Sequence, residues 1–141
     1  MAASDHDLVE DLHRERRLAH HVFAGSLMSN AKWRAALDAL AASGLDIRQV
    51  RLKFADRDEP VSMGRPWTAA ADGFLDSVEF GPFPIIGIEW LEIPGVAVIP
   101  GAPARRHLHD LDAVRAALAA TGKQLPIEEA PDALRLVGHV R

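Results

Sequence analysis

Glu89 and Glu92 are the first residues whose types could do chemistry. They stand inside Ile85-Ile86-Gly87-Ile88-Glu89-Trp90-Leu91-Glu92-Ile93, the densest run of large apolar residues in the chain. Two carboxylates on one cavity would suit general acid–base work. Read as the central strand of a small sheet, however, this run puts residues three apart on opposite faces. Glu89 is then expected beside Gly87, Leu91 and Ile93, and Glu92 beside Ile86, Ile88 and Trp90. That split argues against an acid–base dyad. A carboxylate among apolar neighbours must be paired or take up a proton. For Glu89 the expected cations are Arg51 or Lys53 on a neighbouring strand, or Arg34 on a helix. It is either half of a structural ion pair or the polar floor of a pocket, where shifted carboxyls gather. Glu92, at the strand end, belongs on a rim or in solvent.

Two histidine groups could ligate a metal. His107 and His109 are two apart, which aligns them on a strand but not on a helix, with Asp110 and Asp112 following. Asp110 is better used as a helix cap. His6, Glu10 and His13 fall on one helical face, His20 continues it, and His21 lies beside it. A metal site needs a supporting shell as well as spacing, so a solvated polar face accounts for this second group. Trp67 beside Arg65 is the one aromatic–basic pair that could stack on a ligand; Trp33, Trp67 and Trp90 are otherwise expected in the core. The candidate ligand-binding residues are thus Glu89, Glu92, Trp67 and Arg65, and the candidate metal ligands His107 and His109. No catalytic residue and no cofactor is assigned. The glycines form neither a dinucleotide fingerprint nor a Walker pattern, and neither serine-containing stretch is a nucleophile elbow.

Composition narrows the classes further. The chain has 141 residues, 48% of them apolar and 26% charged, with a formal net charge of −4. That length supports one domain with one core. The charge argues against nucleic acid and anionic membrane as partners, since both call for a basic patch. With no cysteine there is no thiolate nucleophile, disulfide or Cys-based metal site. No apolar run approaches the ~20 residues of a membrane span, and the start of the chain lacks a hydrophobic signal core. A cytoplasmic protein is expected.

The elements that must position these residues read as follows. Residues 5 to 23 predict a helix, with Leu8, Leu12, Ala19, Val22 and Phe23 on one stripe, Ser4 or Asp5 as cap, and Gly25 as a left-handed stop. The stripe is thin, so residues 1–25 are expected to be a helical arm that docks on the domain of residues 26–141 or on a second subunit. Residues 29 to 43 predict the best-specified helix: Ser29 caps it, Met28 and Trp33 staple it, and Gly44 stops it. Residues 50 to 55 alternate as a half-buried strand, and 56 to 60 are a charged turn. Residues 61 to 75 hold a loop with Trp67 as a core plug, and 76 to 80 a short strand. Residues 96 to 99 form another strand after the Pro94-Gly95 turn. Residues 111 to 121 predict a helix capped by Asp110 and stopped by Gly122. Residues 125–129 and 134–140 predict a hairpin. The fold class is α+β: a single domain with a small mixed or mainly antiparallel sheet and two to three helices.

Three pieces carry a family resemblance: Ser26-Leu27-Met28-Ser29-Asn30-Ala31-Lys32-Trp33-Arg34, Ile88-Glu89-Trp90-Leu91-Glu92-Ile93 and Leu136-Val137-Gly138-His139-Val140-Arg141. Over residues 27 to 141 the chain resembles a family of small bacterial proteins known only as a domain of unknown function. The resemblance implies a bacterial, single-domain, cytoplasmic protein and brings no site residues with it. Without a convergent catalytic set, the expected function is a non-catalytic protein-interaction module. An immunity-type inhibitor of a toxin is one such module, and the partner is another protein or a second copy in a homodimer. The alternatives are a small metal-assisted hydrolase using Glu89, Glu92, His107 and His109, and a small-molecule-binding domain. The pocket of the latter would lie between the sheet and the loop from Gly64 to Phe83.

Overall fold

Apolar stripes of helical period and short alternating runs condense into three helices and twelve short strands among the described residues. The structure is a computed structural model that describes residues 5–23 and 25–141, and the side chains of these apart from residues 5–7, 21 and 22. The Ser4 or Asp5 cap, the Val22 side chain of the apolar stripe and the side chains of His6 and His21 therefore lie outside the description. The helices are α1 (Asp5–Val22), α2 (Asn30–Ala42) and α3 (Leu111–Ala119). The strands are β1 (Gly25–Ser26), β2 (Val50–Phe54), β3 (Val61–Met63), β4 (Trp67–Thr68), β5 (Phe74–Asp76), β6 (Phe83–Pro84), β7 (Ile88–Pro94), β8 (Val96–Ile99), β9 (Arg105–Leu108), β10 (Ile127–Ala130), β11 (Ala133–Val137) and β12 (His139–Val140).

Both sheet-covering helices start where their caps say they should. Ser29 Oγ accepts from the Lys32 N–H at 3.2 Å, and Asp110 Oδ1 accepts from the Ala113 N–H at 3.0 Å. Each satisfies a donor that a first turn leaves free. Met28 and Trp33, the staple residues of α2, are both buried. The main sheet runs β10-β11-β7-β2-β3, antiparallel throughout. On its inner face Leu52, Ile88, Leu91, Ile93, Leu134 and Leu136 pack against Trp33, Leu37 and Leu40 of α2 and Val114 and Leu118 of α3. Each such fully buried side chain contributes roughly 1.5–3 kcal/mol over leaving it exposed. The result is a single α+β domain.

The central strand departs from simple alternation. Lys53 pairs with Trp90 and Phe54 with Ile88, so the register between β2 and β7 slips by one residue and Glu89 is the extra one. Such a bulge puts an unpaired residue on one strand and resets its facing. Ile88, Leu91 and Ile93 all join the core, whereas Glu89, Trp90 and Glu92 turn to the outer face. The expectation that Glu89 and Glu92 occupy opposite faces is therefore corrected: they share one. Gly138 holds the bulge. Its N–H donates to Glu89 O at 2.7 Å, and its carbonyl accepts from the Leu27 N–H at 2.8 Å. A Cβ at this position would meet Ile88 O at 2.6 Å and Trp33 Cζ2 at 3.0 Å, so only glycine lets β11 and β12 lie this close to β7.

Other boundaries also move. The central run begins as a 3₁₀ turn, Ile85–Gly87, and becomes a strand only at Ile88. Gly25 is not a left-handed helix stop; it pairs with Val140 in a two-stranded ribbon. The strand expected over residues 76–80 lies earlier, at Phe74–Asp76, and a turn follows it. Trp67 is 42% exposed rather than a core plug, and Trp90 is only half-buried. α1 lies on the domain's own surface, against β6 and the 3₁₀ turn, with Leu8 packed beside Ala69 and Phe74.

Candidate functional site

The outer face of the sheet carries two ion clusters, one around Glu92 and one around Glu89. Arg51, Glu92 and Arg135 stand opposite one another across β2, β7 and β11. Glu92 Oε1 accepts from Arg51 Nη1 at 3.4 Å, and its Oε2 from Arg135 Nη2 at 2.8 Å. The Arg135 guanidinium lies 3.9 Å from the centroid of Trp90, a cation–π contact. Glu89 is held by Lys53 at 3.5 Å through Oε2 and by Arg141 through Oε1. Of the cations considered from sequence, Lys53 pairs with Glu89 and Arg51 with Glu92, whereas Arg34 donates to Ala69 O. Both glutamate side chains are about nine-tenths buried, and each of their four oxygens lies within ion-pair distance of a cation.

His107 and His109 act as clamps. His109 is buried; its Nδ1–H donates to Pro94 O at 2.7 Å, and its Nε2 accepts from the Arg48 N–H at 3.1 Å. Those two bonds fix the neutral tautomer and use its lone pair. His107 Nε2 donates to Asp46 O at 2.8 Å. The two rings meet edge to face at 5.2 Å between centroids. Among the described residues no three of His, Cys, Asp and Glu are grouped so as to hold a metal ion. Trp67 sits on β4 opposite Asp76, and Arg65 precedes it, half-buried, with Nη1 buried and unbonded among the described residues. No hydrogen bond or ion pair among those residues joins Trp67 or Arg65 to Glu89 or Glu92.

What the two histidines clamp is a ribbon that sequence reading only half found. β8 pairs with β9, which sets Val96 opposite Leu108, Ala97 opposite His107, Val98 opposite Arg106 and Ile99 opposite Arg105. Side chains alternate across a strand, so Val96, Val98, Arg106 and Leu108 share the outward face. They are exposed there, Leu108 by 75% and Val98 by 49%, while Ala97 is buried against the body of the domain. β9 escaped notice because Arg-Arg-His-Leu carries no apolar alternation. The signal that could have found it is the strand spacing of His107 and His109, downstream of the Val96–Ile99 run and its Pro100-Gly101 turn.

One edge of this ribbon is closed and the other is open. Gln49 Nε2 donates to Val98 O at 2.9 Å, and Gln49 Oε1 accepts from the Val98 N–H at 3.1 Å, as a neighbouring strand would do. Val98 therefore turns its backbone groups away from β9. Directly opposed residues in an antiparallel pair both point inward or both outward. The N–H and C=O of Arg106, and by the same phase those of Leu108, consequently face the far side of β9. The phase is confirmed one residue on, where the His109 N–H turns back to Gly95 O at 2.8 Å. Among the described residues nothing bonds the Arg106 and Leu108 backbone on that side, and neither Arg105 nor Arg106 has an acidic partner. No helix among the described residues is long and apolar enough to cross a membrane. Comparison with protein-family models, curated proteins and solved structures finds no match to this chain.

Proposed function

We propose that the chain is a non-catalytic protein-interaction module that receives an extended segment of another protein along the open edge of β9. One observation carries this reading: the outward backbone groups of Arg106 and Leu108 are unpaired and lie beside the exposed Val96, Val98 and Leu108. Strand addition draws affinity from main-chain hydrogen bonds and specificity from alternate side chains. A bare, partly apolar edge is what most folded proteins cover or blunt. The unpartnered Arg105 and Arg106 favour a segment carrying acidic residues. The paired oxygens of Glu89 and Glu92 and the occupied nitrogens of His109 support a non-catalytic role. An immunity-type inhibitor is one module of this kind. A bacterial cytoplasmic setting belongs to the same reading and rests on the cysteine-free sequence and the family resemblance.

Arg106→Pro tests it. Proline removes the outward N–H, whereas the bonds to β8 run through Arg105 and His107, so an edge proline leaves the ribbon paired. Leu108→Glu is a second variant, aimed at the side-chain contact. Both are compared with the unaltered chain by affinity capture from cells that produce it and by light scattering. The expected result is one stoichiometric partner, retained by the unaltered chain and lost from both variants at unchanged melting temperature. Equal retention by the variants would refute the site. A dimer of the unaltered chain that Arg106→Pro dissolves would assign the edge to self-association instead.

A further inference from the structure

A second feature lies away from the ribbon. Between the middle of α1, the end of β2 and the turn before β6 is a cleft of about 150 Å³ lined by Glu15, Phe54, Asp56, Arg57, Phe80 and Phe83. That is about the volume of an apolar cavity that accepts benzene. Phe54 and Phe83 form its wall, edge to face with centroids 5.4 Å apart. Gly87 makes its floor. A Cβ there would lie 2.7 Å from Glu15 Oε2, so the carboxyl reaches this depth because residue 87 has no side chain.

The charges in the cleft do not balance locally. Glu15 makes no hydrogen bond or ion pair among the described residues. Burial first, and Asp56 second, push its carboxyl above the usual range; Asp11 adds to the push and Arg14 opposes it. Arg57 stands over Phe80 at 5.9 Å from the ring centroid rather than on Glu15. A half-buried carboxylate facing another acid either takes up a proton or is matched by a cation. Aromatic faces attract cations as well. Two carboxylates among phenylalanines supply too few oxygens for a hard divalent ion, which takes six or more ligands. Both acids repel anions, and the Arg57 guanidinium of the lining is turned over Phe80.

We propose that this cleft binds a small organic ammonium ion, with its apolar body on Phe54 and Phe83 and its charged nitrogen between Glu15 and Asp56. The test is a titration of the full chain followed by amide chemical shifts. Benzylammonium is the probe, benzyl alcohol its neutral isostere and phenylacetate an anionic counterpart. Benzylammonium should give saturable shifts centred on Ala55, Asp56 and Gly87, with benzyl alcohol at least about tenfold weaker and phenylacetate without effect. Glu15→Gln should weaken benzylammonium by about tenfold and leave benzyl alcohol unchanged. Gly87→Ala, whose methyl displaces the Glu15 carboxyl, should do the same at native-like melting temperature. No saturable shift with benzylammonium, equal affinity for the alcohol, or equal affinity in Glu15→Gln would each overturn the proposal.

Discussion

Replacing Lys53 with methionine strands Glu89 and exposes how the outer face of the sheet is balanced. The pair is separated by 3.5 Å, and both side chains are 10% exposed. At that distance an effective dielectric of about 20 gives roughly 5 kcal/mol of gross attraction. Desolvation of the two ions offsets most of it. Removing only the cation keeps the desolvation cost of Glu89 and also frees the Phe54 and Arg57 carbonyls that Lys53 Nζ serves. We expect Lys53→Met to cost about 3 kcal/mol, at the lower end for a broken buried pair because Arg141 still holds one oxygen. Glu89→Met leaves Lys53 on two carbonyls and should cost about 2 kcal/mol. The double variant removes both buried charges, and Arg141 is half-exposed, so it should cost no more than Lys53→Met alone. That corresponds to a coupling of about 2 kcal/mol. Denaturant unfolding of the four proteins, with slopes compared to exclude changes in the unfolded state, provides the assay. Additive costs, with coupling below about 0.5 kcal/mol, would show that the two groups do not share the site described.

Gly138→Ala should destabilise by roughly 3 kcal/mol, because the added methyl meets the Ile88 carbonyl and Trp33, and the chain cannot retreat without losing its bond to Glu89; a shift in melting temperature of a few degrees per kcal/mol reads it. Asp110→Ala should cost about 1 kcal/mol through loss of the α3 cap, and Asp110→Asn should restore most of it. His139 stacks on Phe23 at 4.3 Å and is buried; desolvation lowers its pKa, against the Ile86 carbonyl bond and Glu89, which raise it. The unfolded chain then binds the proton first, so this group withdraws stability as pH falls from about 6.5 toward the lowered folded value. Melting temperatures from about pH 7 to about pH 5 should therefore fall less steeply for His139→Gln than for the unaltered chain. Parallel slopes would show that His139 does not contribute.

Local signals carried much of the fold. Ser29 with Met28 and Trp33, and Asp110 with the apolar spacing behind it, specify their helices within a few residues. Val50 to Phe54 alternates as a half-buried strand must. What could not be read depends on pairing between distant segments. The bulge at Glu89 exists because β2 and Gly138 meet β7 there, and parity counted along β7 alone misplaces the side chain. Trp67 looked like core because tryptophan usually is, yet β4 is a two-residue strand at the surface. Asp56 reads only as part of a charged turn, and nothing in the sequence singles out Glu15; the packing of α1 over the end of β2 brings the two acids to one cleft. His107 and His109 were found as a pair on a strand, but their partners, Asp46, Arg48 and Pro94, are backbone groups that no residue type announces.

Amide hydrogen exchange at β9 tests the interaction reading most directly. In the isolated chain the amides of Arg106 and Leu108 should exchange rapidly, while that of His109, bonded to Gly95, is protected. On binding the captured partner, Arg106 and Leu108 should become protected together. If both amides are already protected in the isolated chain, or stay unprotected in the complex, the open edge of β9 is not the binding site.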